Sequence, residues 1–239
     1  MFLADLSRQH NLEQAAHLFL GSLSHELRTP LTAMLTHLEV LRTPEIPEAV
    51  RQNSLSLMHQ ETRRIAKLVE GLVDLNRLQI TPEVSEQPLD LLLVAEEAIA
   101  EIILEAEARQ IQVSLEAGAP LPRVRGDPDR LKQVFLNVLD NAVKYCRAHD
   151  KVEVSLKSLP EGVSSTILDT GPGISPEDLP FVIQRLYRAR TDVSGSGLGL
   201  ALAEEILRHH HSRLEIQSRY GEKDTGTTVS FLLPAIHAA

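Results

Sequence analysis

One cysteine, Cys146, is all that the 239 residues contain. That excludes an intrachain disulfide and a cysteine-based metal site, and a reducing, cytoplasmic setting is the simplest reading. Tryptophan is absent and aromatics make up only 3% of the chain, so the cores must be aliphatic. Long apolar runs are missing too: none approaches the roughly 18 residues of a membrane span. The opening stretch, MFLADLSRQH, is too short and too polar for a signal peptide. Any membrane sensor is therefore expected to lie outside this chain. Nor is there an excess of basic charge. A formal net charge of −9 argues against a general nucleic-acid binder, which needs a basic face. What remains, 43% hydrophobic and 24% charged residues, is ordinary for a chain that buries a core. The length leaves room for one large domain or two modest ones.

Glycine is scarce from Leu12 to Ile80, where only Gly21 and Gly71 interrupt apolar residues at helical spacing. Leu27, Leu31, Met34, Leu38 and Leu41 form one stripe, and Met58, Ile65, Leu68, Leu72 and Leu75 form a second. Between them TPEIPE (Thr43 to Glu48) marks a reversal. The pattern predicts a helical hairpin. One hairpin cannot bury two apolar stripes, so pairing with a second copy into a dimeric four-helix bundle is expected. Within the first helix, SHELRTPLT carries Pro30, whose missing N–H costs about 3 kcal/mol in a helix interior. That cost suggests the segment does more than pack.

After a linker over residues 81–87 the texture changes to mixed α+β. Helices are expected over Leu91 to Ala108, from Pro128 with Asp127 as N-cap, and over Leu198 to His210. Strands are expected at Ile111 to Leu115, Lys151 to Leu156, Val163 to Leu168, Leu214 to Ser218 and Thr227 to Leu233. SPED (Ser175 to Asp178) reads as a capping box opening a further short helix. The expected division is thus 1–80 for the hairpin domain and 88–236 for an α+β two-layer sandwich.

Three stretches of the second domain could hold a nucleotide. DTGPGI (Asp169 to Ile174) follows a strand, and its aspartate could accept a hydrogen bond from an exocyclic amine; a simple tight turn explains the same residues. GSGLGL (Gly195 to Leu200) opens a helix whose free N–H groups could face phosphate. It is not a dinucleotide fingerprint, which needs a strand just before it, nor a P-loop, which needs Gly-Lys-Ser/Thr. Asn137, Asn141 and Lys144 share one helix face, fitting either a metal–phosphate group or a solvated surface.

Taken together the motifs resemble the catalytic core of a two-component sensor histidine kinase. SHELRTPLT resembles the family's H-box, LKQVFLNVLDNAVKY its N-box, and DTGPGI, GSGLGL and GTTVSF (Gly226 to Phe231) its glycine boxes, in the family's order. The resemblance implies that His25 is the phosphoacceptor, Glu26 the base for the other ring nitrogen, and Thr29 an aid to hydrolysing the partner's aspartyl phosphate. It implies ATP and Mg²⁺ as cofactors: Asn141 for the metal, Asn137 and Lys144 near the phosphates, Tyr145 beside the base and Asp169 reading adenine. Gly171, Gly173, Gly195, Gly197 and Gly199 form pocket and lid, Thr227 belongs to the last box, and Arg185 and Arg188 are candidates to contact phosphate. Implied partners are a second copy of the chain and a response-regulator receiver domain, with no nucleic acid. Asn137 stands where gyrase-type ATPases usually carry a glutamate, which favours transfer to histidine over hydrolysis.

Three departures from the family pattern stand out. Its Phe-x-x-Phe reads Ile183, Gln184, Arg185, Leu186, the lid Ala189 to Ser194 is compact, and the usual His-Gly-Gly turn reads His210, His211, Ser212. The altered lid keeps a second class in view, a degenerate kinase acting as scaffold or phosphatase; a gyrase-like ATPase is a third. HHH (His209 to His211) invites a metal reading, but adjacent histidines cannot share one helix face, so a helix end with dipole contacts is expected.

Overall fold

Two long helices open the chain, α1 (Phe2–Arg42) and α2 (Glu48–Ile80). The computed structural model describes residues 2–80, 85–118, 120–189, 195–221 and 223–236, with backbone only for 2–20, 79 and 80. The reversal between the helices is held by Thr43 N–H donating to the Val40 carbonyl at 3.1 Å and by Val50 N–H donating to the Pro47 carbonyl at 2.9 Å. α1 continues through Pro30, which is buried. The two helices pack on each other, yet Leu31, Leu35 and Leu38 of α1 and Leu55, Val69 and Val73 of α2 stay exposed in the single chain.

The second unit runs β1 (Gln87–Leu89), α3 (Leu91–Ala108), β2 (Gln112–Ala117), β3 (Val124–Gly126), α4 (Pro128–Tyr145), β4 (Lys151–Leu159), β5 (Gly162–Asp169), α5 (Gly199–His209), β6 (Glu215–Arg219) and β7 (Gly226–Pro234). Five strands form one mixed sheet in the order β2-β4-β5-β7-β6, parallel only between β2 and β4. Burial alternates along the central strands. Val152, Val154 and Leu156 of β4, Val163 and Ile167 of β5, and Val229, Phe231 and Leu233 of β7 point into the core. That one-sided pattern is what an antiparallel sheet with one solvated face requires. Helices α3, α4 and α5 cover the apolar face, and Phe135 of α4 meets Phe231 edge-on with ring centroids 5.3 Å apart.

Sequence and structure differ in three places. SPED makes half of the expected capping box: Ser175 Oγ accepts from Asp178 N–H at 3.1 Å, while its hydroxyl, not its backbone N–H, donates to the Asp178 carboxylate at 2.7 Å. Only a single 3₁₀ turn follows, Leu179–Phe181, with Pro180 in its first turn, and the Tyr187 hydroxyl donates to Asp178 at 2.6 Å. Two strands escaped the hydrophobic pattern, β1 and β3, three residues each and paired antiparallel. Both are too short to show a period of two. Finally, Leu68 and Leu75 were expected in the bundle seam, whereas they join the core that continues into the second unit. Of the linker, residues 81–84 lie outside the described residues.

Candidate functional site

α4 sets the site's geometry. Its N-cap Asp127 accepts from Arg130 N–H at 3.1 Å, and Pro128 starts the helix with its φ already suited. Leu131, Val134, Phe135, Val138, Leu139, Ala142 and Val143 are buried against the sheet, which turns the stripe Asn137, Asn141, Lys144 outward. Outward here means over a cavity of about 980 Å³, lined by these three together with Tyr145, Asp169, Gly173, Arg188, Gly195, Gly197, Gly199 and Thr227. Eleven sequence-predicted residues therefore share one pocket. Gly171 is buried beside Asp169 rather than on the pocket wall, and Arg185 is exposed, its charge acting on Glu205 of α5. Arg190 to Ser194, most of the expected lid, lie outside the described residues.

Asp169 ends β5. Its Oδ1 accepts from Gly171 N–H at 2.9 Å and from Thr227 N–H at 3.2 Å, which fixes the carboxylate and leaves Oδ2 for a ligand. Burial pushes the carboxyl up to about 6 against the pull of those two donors. Two glycines are required by the backbone around it. Gly173 has φ +73°, and a Cβ there would fall 2.1 Å from the Arg219 carbonyl oxygen; Gly197 has φ +67°, with the Leu186 carbonyl carbon 2.8 Å from that position. No side chain fits either place. Leu186, one of the residues in the family's phenylalanine positions, is buried with φ +63° and donates its N–H to the Gly197 carbonyl at 2.8 Å. An aliphatic anchor thus holds the glycine loop to the core.

The pocket's chemistry suits a polyanion. Burial lowers the Lys144 pKa, Asp140 at 3.7 Å opposes, and Lys67 and Arg188 add repulsion. A desolvated ammonium among like charges gains strongly when an anion arrives. Asn137 Nδ2 is buried with no hydrogen-bond partner among the described residues, a donor awaiting an acceptor. Gly195 lies against Lys144 and Gly199 against Asn137, so the second glycine loop closes over the same end. Among the described residues there is no cluster of three His, Cys, Asp or Glu that could hold a metal ion. Burial pushes the Cys146 thiol, just behind Asp169, up to about 12, which keeps it protonated and inert.

His210 is part of the scaffold. Its Nε2 accepts from Asp127 N–H at 3.0 Å and its Nδ1 faces the Ile206 carbonyl at 2.8 Å, which defines a neutral, Nδ1-protonated ring. It ties the end of α5 to the start of α4. The helix end expected at HHH is there, but His210 holds it by uncharged hydrogen bonds, and burial lowers the ring's pKa.

On the hairpin, His25 is exposed and Glu26 half-buried. Thr29 Oγ1 donates to the His25 carbonyl at 3.2 Å, one turn back along α1. Glu26 Oε2 meets two arginines: Arg64 Nη2 of α2 at 2.9 Å and Arg188 Nη1 of the pocket rim at 3.5 Å. The hairpin also closes one side of the pocket through Lys67, Glu70, Gly71 and Asp74. Asp74 accepts from Gln133 Nε2 at 3.2 Å and pairs with Arg130 at 3.4 Å, both on α4. Gly71 lets Leu198 approach: a Cβ there would sit 3.2 Å from the Leu198 side chain. None of these α2 contacts was read from the sequence. A signal existed, since a glycine inside a helix costs about 1 kcal/mol against alanine and marks close packing.

Comparison with known proteins agrees with this layout. Residues 15–80 match the His Kinase A (phospho-acceptor) domain, and residues 126–237 match the histidine kinase-, DNA gyrase B- and HSP90-like ATPase family. Drug sensory protein A of Synechocystis is 31% identical over 97% of this chain and 37% of its own length. The phosphate regulon sensor protein PhoR of Pseudomonas aeruginosa is 34% identical over 95% of this chain and 52% of its own. The chain thus spans about half or less of these two curated relatives. The crystal structure of full-length ShkA in complex with AMPPNP is 27% identical, with a TM-score of 0.68 over 95% of this chain and 46% of that one. Phospho-acceptor hairpin, ATPase-like sandwich and both relatives point one way: the chain belongs to the sensor histidine kinases, as a catalytic core of that family.

Proposed function

We propose that the chain works as an ATP-dependent protein histidine kinase, phosphorylating its own His25 and passing the phosphoryl group to an aspartate of a response-regulator receiver domain. The observation that carries this reading is Arg188, which lines the pocket and at the same time lies 3.5 Å from Glu26, the neighbour of His25. ATP would sit with its adenine amine on Asp169 Oδ2 and Tyr145 beside the base. Asn137, Lys144 and Arg188 would face its phosphates, and Asn141 would offer an amide oxygen to Mg²⁺, a hard ion that takes the rest of its shell from phosphate and water. AMPPNP in the ShkA structure supports the choice of ligand. One ring nitrogen of His25 bonds to the γ-phosphorus as the bond to the ADP oxygen breaks, and the proton on the other ring nitrogen passes to Glu26. Positioning and charge neutralisation carry such a transfer.

The exposed leucines and valines of α1 and α2 support a homodimer, in which a second hairpin covers them. Thr29 supports a phosphatase role on the regulator once its hydroxyl turns from the His25 carbonyl. No described helix is long and apolar enough to cross a membrane; a cytoplasmic site of action, like the division at 81–87, is part of this proposal. The test is incubation with γ-labelled ATP. Acid-labile, base-stable label that is absent from His25→Ala is the expected result. ATP binding without label would make the chain a scaffold, and steady phosphate release without labelled protein would make it an ATPase.

A further inference from the structure

We infer that Arg64 is a positioning residue for the reaction at His25, holding the Glu26 carboxylate in the orientation that receives the imidazole proton; this rests on Glu26 being the proton acceptor. Arg64 Nη2 lies 2.9 Å from Glu26 Oε2, and its Nη1 lies 3.8 Å from Glu61 Oε2. The Arg64 and Glu26 side chains are only 16% and 22% exposed. With Arg188 the four residues form a line of alternating charge, Arg188–Glu26–Arg64–Glu61, running from the pocket rim across α1 to α2.

Helical geometry explains why Glu26 needs a holder. Adjacent residues on an α-helix point about 100° apart, so a glutamate next to His25 reaches the imidazole only in a subset of its rotamers. Three rotatable bonds in a free side chain would spread the carboxylate over many positions. Arg64 removes that freedom through a short, charge-assisted contact. Both guanidinium contacts fall on Oε2, which leaves Oε1 as the oxygen for the proton. The two arginines differ in origin. Arg64 stands on the same hairpin as Glu26 and stays with it, whereas Arg188 belongs to the ATPase-like unit and can pass to a phosphate. A partly buried carboxylate that lost both would stand uncompensated. Arg64 is the counter-ion that remains when Arg188 engages ATP.

The experiment is a double-mutant cycle in the full chain, with autophosphorylation rate and KM for ATP measured for Arg64→Ala, Arg64→Lys, Glu26→Gln and both combinations with Glu26→Gln. Arg64→Ala is expected to lower kcat roughly 10- to 100-fold with KM for ATP unchanged within about twofold. Arg64→Lys should recover part of the loss. In the Glu26→Gln background neither Arg64 change should matter further. A kcat loss of the same size in both backgrounds, a loss confined to KM, or no loss would overturn the positioning role. Glu26→Gln at the wild-type rate would instead overturn the reading of Glu26 itself. Should Arg64→Ala fail to fold, shown by a lost melting transition, the Arg64→Lys arm decides by the same criteria.

Discussion

Val152, Val154 and Leu156 on β4 are at most 1% exposed, whereas Leu31, Leu35 and Leu38 on α1 keep 44% to 61% of their surface in solvent. The inner face of the sheet is covered within the chain; the apolar faces of the hairpin are not. A sheet whose alternate residues face three helices covers one whole face, with Leu68 and Leu75 of α2 completing the floor, while two antiparallel helices leave an apolar stripe on each uncovered. The site divides along the same line. Asp169, whose carboxyl burial pushes up to about 6, and Lys144, whose pKa burial lowers, sit in the sandwich, and the exposed His25 sits on the hairpin. The pocket thus lies mainly on the unit that covers its own sheet, and the exposed histidine on the unit whose apolar faces stay open.

The largest expected effect separates the two units. Phe135→Ala removes a fully buried ring from the sandwich core, a loss of about 3–5 kcal/mol. Its nucleotide binding should fail on mild warming while light scattering still reports a dimer. The mirror experiment is Leu38→Asp, which should weaken the dimer by at least roughly 30-fold, from about 2 kcal/mol or more of buried unpaired charge, with the sandwich's melting unchanged. A dimer that survives Leu38→Asp and falls apart with Phe135→Ala would reverse the comparison.

Asp169→Asn comes next. With its folded pKa at about 6 and an unfolded value near 3.8, the ionised carboxylate is disfavoured in the fold by on the order of 2–3 kcal/mol. That penalty is fully present above pH 6 and fades as pH falls from 6 toward 4. The nucleotide-free variant should therefore melt higher than the parent above pH 6 and alike near pH 4, while losing nucleotide binding at every pH. A variant that melts lower at pH 8 would contradict the assignment. The smallest effect is expected from Asp74→Ala, which removes a half-buried ion pair with Arg130 and the contact from Gln133 and costs about 1 kcal/mol. Faster hydrogen exchange around Asp74 in α2, with little change in melting, is the expected signature.

Local chemistry made most of this legible. Asp127 with Pro128 announced the start of α4, and the glycine boxes announced the loops that Gly173 and Gly197 prove to require. The apolar spacing of α1 and α2 announced a hairpin with unfinished faces. What stayed hidden depends on contacts between distant segments. Nothing in RRIAKLVEGLVD distinguishes Arg64, which meets Glu26, from Arg63, which is exposed. Leu68 and Leu75 have the spacing of a bundle seam, and only the docking of the second unit on α2 turns them into its floor. The strands β1 and β3 exist because they pair with each other, a fact three residues cannot encode alone.

Mapping the phosphorylated residue tests the central claim most directly. After brief incubation with ATP and Mg²⁺, acid-free mass spectrometry on the parent chain should find one phosphohistidine, at His25, and none in Asp169→Asn, which removes the carboxylate proposed to take the adenine amine. A phosphate on any other residue, or at His25 with Asp169→Asn at the parent's rate, would contradict the account.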